Sequence, residues 1–247
     1  MSSIKGIIFD YGGTIDTNGI HWGELIWQEY CNSGIEIERE LYREAYVHGE
    51  RSLAKSPIIE PTDTFRTLLH KKMAIQSAYL REKVNEGILA TGKEDEIAER
   101  CYGRVLDTLA VSRPIIENIA AEYPLVLVSN FYGNMPVVLE EFRLSHLFGT
   151  IIESSVVGIR KPDPALFAMG VDALGIEASS TIVIGDSYRK DIFPSSTLVC
   201  RSVWLKNICW EEETVIEGYE PTRTIESIEK LPEAIESIYT ERIYGNV

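Results

Sequence analysis

An α/β fold built on a doubly wound parallel sheet, with a helical segment inserted after the first strand, is predicted for this chain. Three observations predict it. Short β-rich apolar runs alternate with amphipathic stretches from about residue 110 to the end of the 247-residue sequence. Most of those runs stop at a polar residue or a glycine, as buried strands do where they meet a loop. Between about His21 and Leu109 strand-like runs disappear.

The elements follow in order. Ile4 to Asp10 (IKGIIFD) is a short apolar run that delivers Asp10 to a loop, and Gly12 and Gly13 then allow a tight turn or a close backbone approach. Residues 22–31, 38–54, 63–84 and 93–109 carry apolar residues three and four apart, the spacing of amphipathic helices. Breaks fall at Asn32-Ser33-Gly34, Ser56-Pro57 and Ala90-Thr91-Gly92. This gives an inserted helical domain over 17–109 and a sheet domain made of 1–16 and 110–247. Ser112-Arg113-Pro114 reads as a helix start, with proline in its first turn. Buried strands are expected at 125–129 (LVLVS) and 181–185 (TIVIG), further strands at 149–154, 201–205 and 222–225, and helices at 137–143, 164–174 and 231–239. The acidic run Glu211-Glu212-Glu213 reads as a solvated loop or a helix start.

Composition narrows the function. Thirty-eight acidic against 24 basic residues leave a formal net charge of −14. Such a surface repels nucleic-acid phosphates and anionic membranes. It leaves room for a small anionic substrate, because a metal and a few local cations invert the field inside a cleft. The four cysteines lack CxxC spacing and the four histidines lack paired spacing, which argues against a zinc site or a disulfide framework. No stretch reaches 18 apolar residues, and the N-terminus has no signal-peptide pattern. A cytoplasmic location is expected.

Ligands of an open parallel sheet bind beyond the carboxyl ends of the strands. The polar residues at those ends are Asp10, then Ser129 and Asn130, then Asp186 with Asp191 five residues on; a loop adds Lys161. Carboxylates are hard ligands suited to Mg²⁺, a lysine suits a phosphoryl oxygen, and a central carboxylate can act as a nucleophile.

In these residues the chain resembles the haloacid dehalogenase superfamily. The motifs are Asp10-Tyr11-Gly12-Gly13-Thr14-Ile15-Asp16, Ser129-Asn130, Gly158-Ile159-Arg160-Lys161-Pro162-Asp163-Pro164, and Gly185-Asp186-Ser187 continuing to Asp191, all in family order. The resemblance implies a Rossmann-like core with a helical cap that closes over the cleft. It implies Asp10 as nucleophile and Mg²⁺ ligand, Gly12 as a metal ligand through its carbonyl, Asp186 as a second ligand, and Asp191 in the outer shell or bound through water. Ser129 and Lys161 would hold the phosphoryl group, Lys161 would orient Asp10, and Gly13, Thr14 and Asn130 complete the substrate contacts. The substrate would be a small phosphorylated metabolite.

One departure matters. Phosphatases of this family usually carry an acid–base Asp two residues after the nucleophile, and here that residue is Gly12. General acid–base catalysis contributes typically about 10²–10⁴-fold. The dehalogenase branch also lacks this Asp, but it needs no Mg²⁺ and usually lacks the Gly-Asp pair present here as Gly185-Asp186. The phosphonate-hydrolysing branch uses a lysine of the early cap, and no lysine occurs between Asp16 and Ala54; Lys55, Lys71 and Lys72 lie further on. A phosphatase whose proton shuttle is replaced by water, substrate or a cap residue ranks first. A catalytically impaired metal- and phosphate-binding or regulatory protein is the alternative. His21 and Glu24 are candidate substitutes, although a hinge or surface role is the plainer reading of both. Trp22, Trp27 and Tyr30 read as helical core before pocket, Tyr132, Gly133 and Asn134 as a turn that could touch substrate, and Asp16 as a linker or capping residue.

Overall fold

The computed structural model describes residues 4–83 and 92–244, with side chains through 239. The expected break at Ala90-Thr91 and the end of the 63–84 helix lie outside the described residues.

Strand β1 (Gly6–Phe9) is followed by four helices: α1 (Trp22–Asn32), α2 (Arg39–Lys55), α3 (Phe65–Lys83) and α4 (Lys93–Ala120). The chain then alternates: β2 (Leu125–Ser129), α5 (Met135–Glu141), β3 (Thr150–Glu153), α6 (Ser154–Val157), α7 (Ala165–Leu174), β4 (Thr181–Gly185), α8 (Phe193–Thr197), β5 (Arg201–Leu205), β6 (Arg223–Ile225) and α9 (Leu231–Tyr244). The six strands form one parallel sheet in the order β3-β2-β1-β4-β5-β6. This is the doubly wound α/β fold, and its order reverses between β1 and β4, where such sheets open a crevice.

Strand periodicity explains the layering. Ile7 and Phe9 face one apolar layer with Leu125, Leu127, Ile182 and Ile184. Ile8 faces the other, with Val126, Val128 and Val183. Both faces are covered, so the strands read as continuous apolar runs rather than alternating ones. Helix α7 covers the second layer with Leu166, Phe167 and Val171. It approaches closely because Gly170 has no side chain: a Cβ there would stand 2.8 Å from Ile8 Cδ1 and 2.9 Å from Val128 Cγ2. The first layer runs on into the helical insertion, where Tyr42, Met73, Ile97 and Val105 belong to the same cluster.

One expected boundary is absent. Pro114 does not start a helix; it lies inside α4, which runs unbroken from Lys93 to Ala120. Tertiary packing outweighs the missing N–H. Leu109, Ser112, Ile116 and Ile119 are buried along one stripe, and the Ser112 hydroxyl donates to Ile15 O at 3.0 Å. Pro114 itself is exposed.

Candidate active site

Register brings the chemistry to one edge. Phe9 is level with Leu127 and Ile184, so β1, β2 and β4 release Asp10, Ser129-Asn130 and Asp186 together. The Asp10 N–H donates to Ile184 O at 2.9 Å, extending the ladder to the residue itself.

Asp10 is buried and held by three donors from separate segments. Lys161 Nζ lies 2.6 Å from Oδ1, Ser129 Oγ 3.3 Å from the same oxygen, and Thr14 Oγ1 3.1 Å from Oδ2. Lys161 also contacts Asp191 Oδ1 at 2.7 Å. Burial works against the Lys161 ammonium, but the charges of Asp10 and Asp191 outweigh it and hold its pKa above the ordinary value. Thr14 Oγ1 also reaches Asp186 Oδ1 at 3.3 Å.

Carboxyl oxygens of Asp10, Asp186 and Asp191 lie within 4.8 Å of one another. One lysine does not compensate three carboxylates. Burial, then repulsion from Asp191 and Asp10, pushes Asp186 well above the usual carboxylate range. Asp191 is pushed up to about 6 by burial, with Lys161 opposing. Three hard oxygen donors with an excess of buried negative charge fit a divalent cation, and Mg²⁺ among them. The glycines are shaped to this cluster. A Cβ at Gly185 would overlap Asp191, and one at Gly13 would overlap the Asp186 carboxylate at a φ of +99°.

The remaining motif residues take less direct places. The Asn130 amide donates to Lys161 O and accepts from Lys161 N, at 3.1 and 2.9 Å, so it fixes the lysine's loop. The Gly13 N–H donates to Asp16 Oδ1 at 2.7 Å, and Trp22 Nε1 to Asp16 Oδ2 at 3.0 Å. Burial raises Asp16 to about 7 against those hydrogen bonds. Asp16 thus ties the loop after Asp10 to α1.

A cavity of about 130 Å³ opens over this edge, between the sheet and the insertion. Gly12, His21, Trp22 and Tyr132 line it; among the described residues Trp27, Tyr30 and Glu24 do not. Trp27 and Tyr30 pack on Tyr42 inside the insertion, and Glu24 pairs with Arg39. His21 Nδ1 accepts from the Gly23 N–H at 3.0 Å, and burial lowers its pKa to about 3. The imidazole is neutral, with its proton on Nε2.

Sequence reasoning named Lys72 and Tyr132 separately but passed over Glu50 and the cavity roof that the three form. Glu50 of α2 and Lys72 of α3 both line it, their charged atoms 2.7 Å apart, and the Tyr132 hydroxyl donates to Glu50 Oε2 at 3.0 Å. A lysine on the buried stripe of an amphipathic helix is the signal that could have found it. Glu213 was also missed. The acidic run is a loop, with Glu211 and Glu212 exposed. Glu213 turns inward and accepts from Ser187 Oγ and the N–H groups of Tyr188 and Arg189, bracing the segment between Asp186 and Asp191.

The family model for haloacid dehalogenase-like hydrolases matches residues 4–193, and a second, HAD-hydrolase-like model matches residues 158–231. The chain belongs to the haloacid dehalogenase-like hydrolase family. It is 32% identical over 106 residues to haloacid dehalogenase-like hydrolase domain-containing protein 3 of Danio rerio, covering 43% of each chain. It is 37% identical over 62 residues to a phosphoserine phosphatase of Thermus thermophilus, a quarter of each chain (25%). It is 27% identical over 120 residues to a phosphoglycolate phosphatase of Neisseria gonorrhoeae, 48% of this chain and 50% of the other. The matches thus span half or less of these relatives' lengths. Among solved structures, a magnesium-bound putative HAD-hydrolase from Bacillus subtilis aligns over 95% of this chain and 99% of its own, with TM-score 0.57 and 18% identity. A dehalogenase with an intermediate complex aligns over 94% and 96%, with TM-score 0.61 and 13% identity. These two likenesses establish the fold. Among the described residues no helix is long and apolar enough to cross a membrane.

Proposed function

We propose that the protein is a Mg²⁺-dependent phosphatase of a small phosphate monoester, with Asp10 as nucleophile. One observation carries the reading. Asp10 sits in a small cavity, its carboxylate aligned by Lys161, Ser129 and Thr14 and flanked by Asp186 and Asp191. Asp10, Asp186 and the Gly12 carbonyl would hold the metal, with Asp191 behind them. When bound, the cation neutralises charge on the phosphoryl oxygens. We take 17–109 as a cap that excludes water from the cavity; α4 is shared between cap and core, since it runs through position 110.

An Asp10 oxygen attacks phosphorus in line, the ester P–O bond breaks, and the alcohol departs. Water then attacks the aspartyl-phosphate, releasing inorganic phosphate and restoring the carboxylate. Lys161 and Ser129 orient Asp10 and bind phosphoryl oxygens. No side chain at position 12 gives the leaving oxygen its proton. His21 holds no acidic proton in reserve, because its imidazole is already neutral. With neither residue as the donor, water, the substrate or another residue of the insertion supplies the proton in this reading.

Gly12 also favours a second reading, a binding protein that turns over negligibly. The lysine of a phosphonate hydrolase acts as a free amine, and Lys72, the one described insertion lysine that lines the cavity, does not suit that role. Burial opposes its charge, but Glu50 keeps it a cation above the ordinary lysine range. The test is hydrolysis of p-nitrophenyl phosphate and of an alkyl phosphate, with and without Mg²⁺, by wild type and Asp10→Asn. The expected result is metal- and Asp10-dependent turnover that strongly favours the aryl ester. Folded but silent wild type would support the binding reading.

A further inference from the structure

We propose that this site selects the phosphate ester of a short, uncharged, hydroxylated compound, and that Glu50 and Lys72 together read its hydroxyl groups. The inference rests on the phosphatase reading and adds a substrate class to it.

The roof is a polar group that lines the cavity. Lys72 is only 5% exposed, yet it lines the cavity that holds Asp10. Its ammonium has three donors. Glu50 Oε1 pairs with it at 2.7 Å. Glu50 Oε2 takes the Tyr132 hydroxyl. The roof thus offers a donor and an acceptor side by side, the complement of a hydroxyl or a vicinal diol. The Trp22 and Tyr132 rings stand about it, each with its centroid 5.7 Å from Lys72 Nζ, and give apolar faces against which C–H groups pack.

Charge rules against a carboxylated leaving group. The cavity lining carries four carboxylates, Asp10, Glu50, Asp186 and Asp191. Four cations answer them: Lys72 and Lys161 inside, Arg160 and Lys190 exposed. A divalent ion and a phosphoryl dianion then cancel each other, and the loaded site is neutral. A further carboxylate would meet Glu50 with no spare interior cation, since Lys161 is committed to Asp10 and Asp191. Size limits the rest. The cavity of about 130 Å³ is close to the roughly 150 Å³ that encloses one benzene. It takes the phosphoryl group and the first few carbons.

The experiment compares glycerol 3-phosphate with 2-phosphoglycolate on the full chain with Mg²⁺. Wild type is expected to favour glycerol 3-phosphate in kcat/KM by about tenfold or more, the scale of a hydrogen bond to a charged group. Glu50→Gln, isosteric but uncharged, exposes the Lys72 charge and should shift that ratio toward 2-phosphoglycolate by about tenfold. Lys72→Met should shift it the opposite way while lowering kcat/KM for glycerol 3-phosphate. A purely structural role would lower both substrates together and leave the ratio fixed. A wild-type preference for 2-phosphoglycolate, or a ratio unmoved by both variants, overturns the proposal. Absence of p-nitrophenyl phosphate turnover would instead count against the phosphatase reading. Calorimetric affinities of the same two esters for the Asp10→Asn variant then decide the selectivity, with the same expected order and the same refuting one.

Discussion

Gly12→Asp should convert a catalyst without a proton donor into one that has it. The substitution fits. A Cβ at position 12 would meet only Trp22 Nε1 at 3.9 Å and Cδ1 at 4.0 Å, ordinary van der Waals contacts. The Gly12 φ lies outside the left-handed region, so an L side chain adds no backbone strain there. The new carboxyl would enter a cluster that already holds Asp10, Asp186 and Asp191. Burial and like charge raise its pKa, as they raise that of Asp186, which favours the protonated form an acid needs. Turnover of an alkyl phosphate is expected to rise about 10²–10⁴-fold, a barrier reduction of about 2.7–5.5 kcal/mol. Aryl phosphates should gain far less, because a phenolate leaves without a proton. The assay is phosphate release from glycerol 3-phosphate and p-nitrophenyl phosphate by wild type, Gly12→Ala and Gly12→Asp at matched Mg²⁺. A folded Gly12→Asp enzyme that speeds both esters equally, or neither beyond Gly12→Ala, would refute the idea that the missing acid limits turnover.

Other consequences are as direct. Lys161→Met leaves Asp10 and Asp191 buried without their shared cation. Urea unfolding of the metal-free protein should show a loss of about 3–5 kcal/mol, with partial recovery in Mg²⁺ and no turnover. Pro114 lies exposed inside α4, and Pro114→Ala restores a helical N–H. Thermal unfolding should show stabilisation of up to about 3 kcal/mol, and no gain would mean that the helix had already relaxed around the ring. His70 of α3 lies 2.7 Å from both Asp95 and Glu99 of α4. Burial opposes its charge, but the hydrogen bonds that it donates to Glu99 and Asp95 prevail and raise its pKa above the ordinary 6.5. The folded state therefore holds the proton more tightly. The stabilisation is complete below pH 6.5 and fades as pH rises through the raised value. The melting-temperature gap between wild type and His70→Gln should shrink from acid to alkaline buffer, and a gap that grows would reverse the assignment.

The sheet was legible because both of its faces are covered. Buried parallel strands leave continuous apolar runs such as LVLVS and TIVIG, and the observed β2 and β4 occupy those runs residue for residue. The insertion helices were legible from spacing alone. The junction at Pro114 was not. Local propensity argues for a start there, at a cost of about 3 kcal/mol for an interior proline. The burial of Leu109, Ser112, Ile116 and Ile119 along one stripe supplies more than that. A window of ten residues contains the proline but not the surfaces that those four side chains meet.

The same distinction separates the floor of the site from its roof. Asp10, Ser129 and Asp186 sit at the ends of strands whose register is set by the sheet, so finding the strands finds the residues. Glu50 and Lys72 are brought together by the packing of α2 against α3, and Tyr132 joins them from the loop after β2. Each alone is an ordinary polar residue in a helix or a turn. Only their burial is anomalous, and burial of a charge is costly unless a partner is present. The ion pair accounts for the charge; it does not by itself account for the placing of the pair on the lining of the cavity that holds Asp10. On the proposed reading a ligand hydroxyl meets that pair across the cavity from Asp10, so the specificity of the site would lie in its roof and its chemistry in its floor.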